Sequence, residues 1–96
     1  MTQDTPAQAA ALAIIRAKAR ADAPARCRRN LLAVMNIAVQ CRGTSAEVGT
    51  KGCAREAAYM LQNSDLTDER SHRRALNMLH ALLGTVGAYG LEIVPL

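Results

Sequence analysis

Alanine dominates the apolar residues of this chain, and this limits what the chain can fold into. Of the 96 residues, 48 are apolar and 19 of those are alanine, while the sequence has no Phe and no Trp. Such small side chains make a thin core, because each one removes little area from water when it is buried. Alanine also has the highest intrinsic helix propensity. The composition predicts an all-α fold in a single domain that spans residues 1–96.

The small core also bears on assembly. Only 29 of the apolar residues are larger than alanine. Their burial must offset the conformational entropy that the chain loses on folding, and for small domains the two terms nearly cancel. We therefore expect a homodimer, or a complex with another protein, to cover the remaining apolar surface.

The positive charge narrows the class of partner. A net charge of +4 and an isoelectric point near 9.4 suit an acidic partner, either nucleic acid or an anionic protein surface. Tyr59 and Tyr89 are the only aromatic residues, too few for the stacking platform that binds single-stranded nucleic acid. No apolar run approaches the ~20 residues that cross a bilayer, and no signal peptide is recognisable. We expect a cytoplasmic protein with no membrane partner.

Cysteine and histidine residues give no pattern of a chemical site. Cys27, Cys41 and Cys53 lack a C-x-x-C pair, and ligands at metal spacing are missing. His72 and His80 belong to no recognisable catalytic triad. We expect reduced thiols, no metal, no cofactor and no enzymatic activity.

Turn-forming residues divide the chain into four predicted helical stretches. Thr5 followed by proline predicts the start of a first helix that runs to about Ala21, after four disordered residues (1–4). Asp22 and Pro24 predict a restart and a second helix from Ala23 to Arg42, ended by glycine.

The second half of the chain contains the other two predicted helices. Residues 44–52 hold small polar residues and two glycines, which predicts a loop, and residues 53–62 predict a short helix. The last helix is capped by Ser64, Asp65 or Thr67. Residues 91–96 predict an extended tail. The expected architecture is a small bundle of three to four helices with a short extended C-terminal tail.

Two stretches carry more apolar residues than one helix face needs. In the second helix a core stripe is predicted at Leu31, Val34, Met35, Ala38 and Cys41. Three further apolar residues lie outside that stripe: Leu32, Ile37 and Val39. Either the helix is central and these residues belong to the core, or they form an interface with a partner. In the last helix the predicted core face consists of Ala75, Leu76, Leu79, Leu82, Leu83 and Val86.

Basic residues concentrate in one segment. Six of the twelve lie within residues 16–29, namely Arg16, Lys18, Arg20, Arg26, Arg28 and Arg29. Such a cluster either binds phosphate groups with a steep salt dependence or simply forms solvated helix faces. Arg70, Arg73 and Arg74 open the last helix, where Asp68 and Glu69 are available for pairing.

Residues 44–62 resemble the helix-turn-helix of addiction-module antitoxins and phage repressors, in which the second of two short helices enters the DNA major groove. The stretch TSAEVGTKGCAREAAYML places Gly52 at the turn and Arg55 and Glu56 at the front of the recognition helix. This resemblance implies a DNA-binding repressor or antitoxin whose DNA contacts are Arg55 and Glu56.

The last helix resembles a different family, the quorum-sensing antiactivators of the TraM and QslA type. The resemblance lies in Ala75-Leu76-Asn77-x-Leu79 with Leu83-Gly84, and the Arg28-Arg29 pair and Cys53 lie upstream at similar separations. It implies two long packed helices, a dimer and a protein interface instead of a chemical site. Proteins of this family bind a LuxR-type transcription activator and prevent it from acting on DNA.

We therefore expect a negative regulator of transcription that binds a LuxR-type activator and blocks its dimerisation or DNA binding. The partner is a protein, most simply a transcription factor, with nucleic acid as the second choice. The residues expected at the partner surface are Arg28, Leu32, Ile37, Val39, Leu76, Leu79 and Leu83.

Overall fold

The computed structural model describes residues 5–95, which form three α-helices and no strand. Helix α1 spans Pro6–Gln40, α2 spans Glu47–Asn63 and α3 spans Glu69–Ala88. Each helix contacts the other two, and the chain at Val94 returns to the C-terminal end of α1. The predicted all-α bundle is confirmed. The disorder expected at residues 1–4 lies outside the described residues.

Helix α1 is one helix where the sequence predicted two. Its start is as predicted: Thr5 caps it, accepting from the Gln8 backbone N–H at 3.2 Å while the Gln8 side chain accepts from the Thr5 N–H at 2.8 Å. The predicted break at Asp22 and Pro24 is wrong, because α1 continues through Pro24. A proline inside a helix removes one backbone hydrogen bond, a cost that long helical segments on both sides can offset.

The N-terminal half of α1 extends into solvent. Every residue from 5 to 22 is exposed, and contact with the bundle begins at Ala23 and Pro24. We call residues 5–22 the arm. It makes the molecule long, with principal extents of 57, 30 and 22 Å.

Helix α2 begins inside the predicted loop. It starts at Glu47, so the expected loop over residues 44–52 is wrong for residues 47–52. The Thr50 hydroxyl, almost fully buried, donates to the carbonyl oxygens of Ala46 and Glu47, each at 3.1 Å. Packing against the core therefore outweighs the penalty of ~1 kcal/mol that Gly49 and Gly52 each impose on the start of α2.

Helix α3 has a different cap from those predicted and a well-defined end. Asp68, instead of Ser64, Asp65 or Thr67, caps its first turn by accepting from the Arg70 backbone N–H at 3.0 Å.

At the C-terminal end of α3, Gly90 has a φ of +65°. The Leu91 N–H donates to the Val86 carbonyl and the Gly90 N–H to the Gly87 carbonyl, both at 3.1 Å. This is the Schellman arrangement, which ends a helix with a residue in the left-handed region. It turns the tail back toward α1.

The core lies between the three helices in the half of the molecule beyond the arm. The stripe predicted in the second helix is confirmed, since Leu31, Val34 and Cys41 are buried. The core face predicted for α3 is partly wrong, because Leu76 and Leu83 are exposed. The helix is rotated so that its buried residues are Ser71, Ala75, Met78, Leu82 and Val86.

Candidate protein-binding surfaces

Most of the residues predicted at a partner surface are accessible. Leu32 is 38% exposed, Val39 53%, and Leu76 and Leu83 are also exposed. Arg28 is exposed and Leu79 is half-buried against the core. Ile37 is the exception among the seven: at 4% exposure it belongs to the core, so its assignment to a partner surface is wrong.

Three of these residues form one surface on α1, which we call the outer face: Arg28, Leu32 and Val39. Spacings of four and seven residues place them on the same side of the helix. Val39 also lines a shallow groove between α1 and α2, opposite Ala54 and Arg55. The outer face therefore combines two uncovered apolar side chains with positive charges from both helices.

The α3 residues belong to a separate surface, the α1–α3 groove. It consists of two recesses that share Ala33. The first contains the charged groups, with Arg26, Arg29, Glu69 and His72 around Leu76. The second is apolar, and its walls include Ile37, Leu79, Leu83, Ile93 and Pro95. The structure thus splits the predicted partner residues between two sides of α1.

His72 occupies the junction of α1 and α3 at the charged end of this groove. Its Nε2 atom is buried and has no hydrogen-bond partner in the described part of the chain. The surrounding side chains include Arg26, Arg29 and Glu69. His72 therefore lies where charged side chains of α1 and α3 meet.

The predicted helix-turn-helix is not formed. Gly52, its expected turn residue, lies inside α2, and the connection between α1 and α2 is residues 41–46. Arg55 and Glu56 do not form one surface either. Arg55 lines the groove toward α1, whereas Glu56 makes an ion pair with Arg74 of α3. A recognition helix needs its base-contacting side chains free on one face, and this arrangement separates them.

The basic cluster is also divided by the fold. Arg16, Lys18 and Arg20 lie on the arm, Arg28 lies on the outer face, and Arg26 and Arg29 line the α1–α3 groove. At the start of α3, Arg73 pairs with Glu69 at 3.5 Å, as the sequence allowed. Positive charge therefore surrounds both candidate surfaces instead of forming one continuous patch.

The cysteines are packing residues in this fold. Cys27 and Cys41 are buried, Cys53 is half-buried, and all three are free thiols. Burial raises the pKa of the Cys27 thiol above its ordinary value. Within residues 5–95, no three His, Cys, Asp or Glu side chains converge in a way that would hold a metal ion. None of the described helices combines the length and the apolar character needed to span a bilayer.

The arm is the surface that sequence reasoning missed. Leu12, Ile14 and Ile15 were interpreted as a weakly anchored helix of the bundle, yet all three are exposed. The available signal was the spacing of Leu12, Ile15 and Ala19, which continues into residues 23–40 if Pro24 does not end the helix. The predicted break at that proline hid this continuity.

Comparison with known proteins adds no relative to this picture: no family model, no curated protein sequence and no solved structure matches the chain.

Proposed function

We propose that this protein is a negative regulator of transcription that acts by binding another protein, a LuxR-type activator, and blocking its dimerisation or its binding to DNA. The observation that carries the protein-binding part is the outer face, where Leu32 and Val39 leave 38% and 53% of their surface in water. The partner class rests on the resemblance of the Ala75–Leu79 segment to quorum-sensing antiactivators.

The outer face has the composition of a protein interface. Two apolar side chains form its centre, and Arg28 of α1 and Arg55 of α2 form a charged rim. Interfaces commonly join an apolar centre, which supplies most of the affinity, to a polar rim that remains wet. This surface offers no nucleophile or buried acid for chemistry, so binding is the function that it suits.

The proposed mechanism is hydrophobic masking. Leu32 and Val39 cover an apolar surface that the activator needs for its own dimer or for DNA. The rim arginines raise the rate of encounter with an acidic partner more than they raise affinity, because exposed charges act over distance but are screened at contact. We further propose that the protein acts as a homodimer.

The test uses a purified LuxR-type activator and its operator duplex in a mobility-shift titration. The chain should release the activator from the duplex, and Leu32→Asp or Val39→Asp should raise the concentration required at least about 30-fold. Tyr59→Asp is the matched control, since Tyr59 is also exposed, at 65%, but lies in the groove between α2 and α3. It should act like the unchanged chain.

Two outcomes contradict the proposal. If the chain alone shifts the duplex at low salt and Arg55→Ala weakens that shift, the protein reads DNA directly. If the chain fails to release the activator, the partner class is wrong.

A further inference from the structure

We propose that two copies of this chain exchange their arms, so that the arm of each copy lies antiparallel in the α1–α3 groove of the other. Each bundle of three helices then gains a fourth helix from its partner. The inference rests on the proposed homodimer, and it is independent of the proposed activator.

The isolated chain is too extended for a stable monomer of its mass. Its accessible surface is 6933 Å², whereas a compact monomer of 10.3 kDa exposes roughly 5,400 Å². Its radius of gyration is 17.3 Å, against about 12.5 Å for a compact domain of this length. The excess of roughly 1,500 Å² exceeds the ~800 Å² that each partner buries in a standard interface.

The arm and the groove are parts of the same face of α1. Leu12, Ile15 and Ala19 follow one another at spacings of three and four residues, and the series continues along the same side of the helix. Its continuation contains Arg26, Asn30, Ala33 and Ile37, the α1 wall of the groove. A two-fold axis brings a face onto itself, so a single continuous face suffices for both halves of a symmetric dimer.

An axis beside Asp22 and Ala23 gives a consistent register. It is the midpoint of α1, with the arm (residues 5–22) on one side and residues 23–40 on the other. Each half is 18 residues and about 27 Å long, so neither overhangs the other. In this register Leu12 lies opposite Ala33 of the partner subunit, and Ile15 lies opposite Asn30 of the partner subunit.

The side chains at these positions complement each other in size. Ala33 is small and lies beside Leu76, so it leaves room for a leucine from the other copy. Alanines at positions 19 and 23 allow the two helix axes to approach closely where they cross. The larger arm residues thus meet the small wall of the groove, and Leu76 is covered.

Opposite charges also meet near the two-fold axis in this register. Asp22 is the only acidic residue between positions 5 and 46, and it makes no ion pair within the described residues. The Arg26 guanidinium donates only to the Ala19 backbone carbonyl, at 3.3 Å. One turn separates Asp22 from Arg26 of the partner subunit across the axis, which is within reach of the long arginine side chain.

Adjacent isoleucines on the arm supply the first test. Ile15 lies on the groove side of α1, and Ile14 lies about 100° further around the helix, outside that face. Both are largely exposed, at 61% and 70%. By sedimentation equilibrium, the unchanged chain should have twice its 10.3 kDa mass. Ile15→Asp should raise the dimer dissociation constant at least about 30-fold, and Ile14→Asp should leave it within about threefold. Neither change touches the core.

Cross-linking tests the register directly. Mixing Leu12→Cys copies with Ala33→Cys copies should give an intermolecular disulfide under mild oxidation. Leu12→Cys copies alone should not cross-link through position 12, because the two-fold axis separates the two Leu12 positions by about 30 Å. Parallel reactions with the unchanged chain measure any cross-linking through its own thiols.

The outcomes separate the dimer from the exchange of arms. A monomeric mass for the unchanged chain at micromolar concentration overturns the dimer and with it this inference. If the chain is a dimer but Ile15→Asp leaves its dissociation constant unchanged, the dimer stands and the exchange of arms is wrong. The same conclusion follows if Ile14→Asp weakens the dimer as much as Ile15→Asp does. Cross-linking of Leu12→Cys copies to one another overturns the antiparallel register.

Discussion

The Gln40 side-chain amide bonds both backbone polar groups of Val94. Its Nε2 donates to the Val94 carbonyl oxygen at 2.8 Å, and its Oε1 accepts from the Val94 N–H, also at 2.8 Å. Asn36 Nδ2 adds a third bond to the same carbonyl at 3.1 Å. Two α1 side chains thus take the place of a neighbouring strand and hold the tail against the helix, where Ile93 packs on the core.

Gln40→Ala should therefore loosen the tail. It removes two hydrogen bonds that are partly open to solvent, so the free energy of unfolding should fall by about 1–2 kcal/mol. Urea denaturation measures this loss, and hydrogen exchange should show faster exchange at the Val94 amide. Gln62→Ala is the control, because Gln62 is exposed near the end of α2. An equal loss from both changes would show that the bonds to Val94 contribute nothing.

Ile37 and Val39 should respond in opposite ways to the same substitution. Ile37→Asp places a charge in the core, where desolvation without a partner should cost more than about 4 kcal/mol and unfold the domain. Val39→Asp puts the charge in water and should change stability by no more than about 1 kcal/mol. Thermal unfolding followed by circular dichroism separates the two. A folded Ile37→Asp variant would contradict the described orientation of α1.

Pro24→Ala should make α1 more rigid near the start of the bundle. Alanine restores the backbone N–H that can bond the Arg20 carbonyl, and it relieves the clash that proline imposes on the preceding turn. We expect slower hydrogen exchange in residues 16–24 and a free energy of unfolding higher by about 1–2 kcal/mol. The amides of residues 31–38 are the control: any change in their exchange rates should be no larger than the change in the free energy of global unfolding explains. Unchanged exchange in the first group would argue against a helix that runs through this position.

Two glycines near the end of α3 should have opposite effects on mutation to alanine. Gly90→Ala forces a side chain into a φ of +65° and should cost about 1 kcal/mol. Gly87→Ala fills open space within the helix and should add about 0.5–1 kcal/mol. Chemical denaturation of both variants measures the signs. Equal signs would contradict the Schellman end of α3.

The Cys27 thiol should make the fold sensitive to alkaline pH. Its pKa is raised by burial, so the folded state holds this proton more tightly than the unfolded chain does. The stability that it contributes is complete below the unfolded pKa of about 8.5 and falls as pH rises through the folded value. Above pH 8.5, Cys27→Ser should lose stability less steeply with pH than the unchanged chain. Parallel pH profiles of the two chains would contradict this role.

Local sequence signals predicted the start of α1 and the core stripe of its second half. The Thr5 cap followed by proline is a strong local rule, and the stripe through Leu31, Val34 and Cys41 repeats at helical spacing. Such features depend on neighbours in sequence, so they can be predicted without the tertiary structure.

The errors arose where packing outweighs local preference. Pro24 and Gly52 were expected to interrupt helices, but each lies within one. In α3, Leu82 is buried as predicted, but Leu76 and Leu83 of the predicted core face are exposed, and Met78, which was not predicted, is buried. The amphipathic pattern of α3 is broad enough to allow several rotations, and contacts with α1 and α2 select one of them.

The division of α1 into a packed half and an arm also sets an order of events for a newly made chain. The arm is synthesised before the bundle, yet all of its residues are exposed in the single chain, so the Thr5 cap and the helix propensity of its alanines are its main sources of stability. The bundle can form in a single chain as soon as α3 has been synthesised. In the proposed dimer the arm acquires its tertiary contacts from a second chain, so its ordering would depend on how much of the protein the cell has already made.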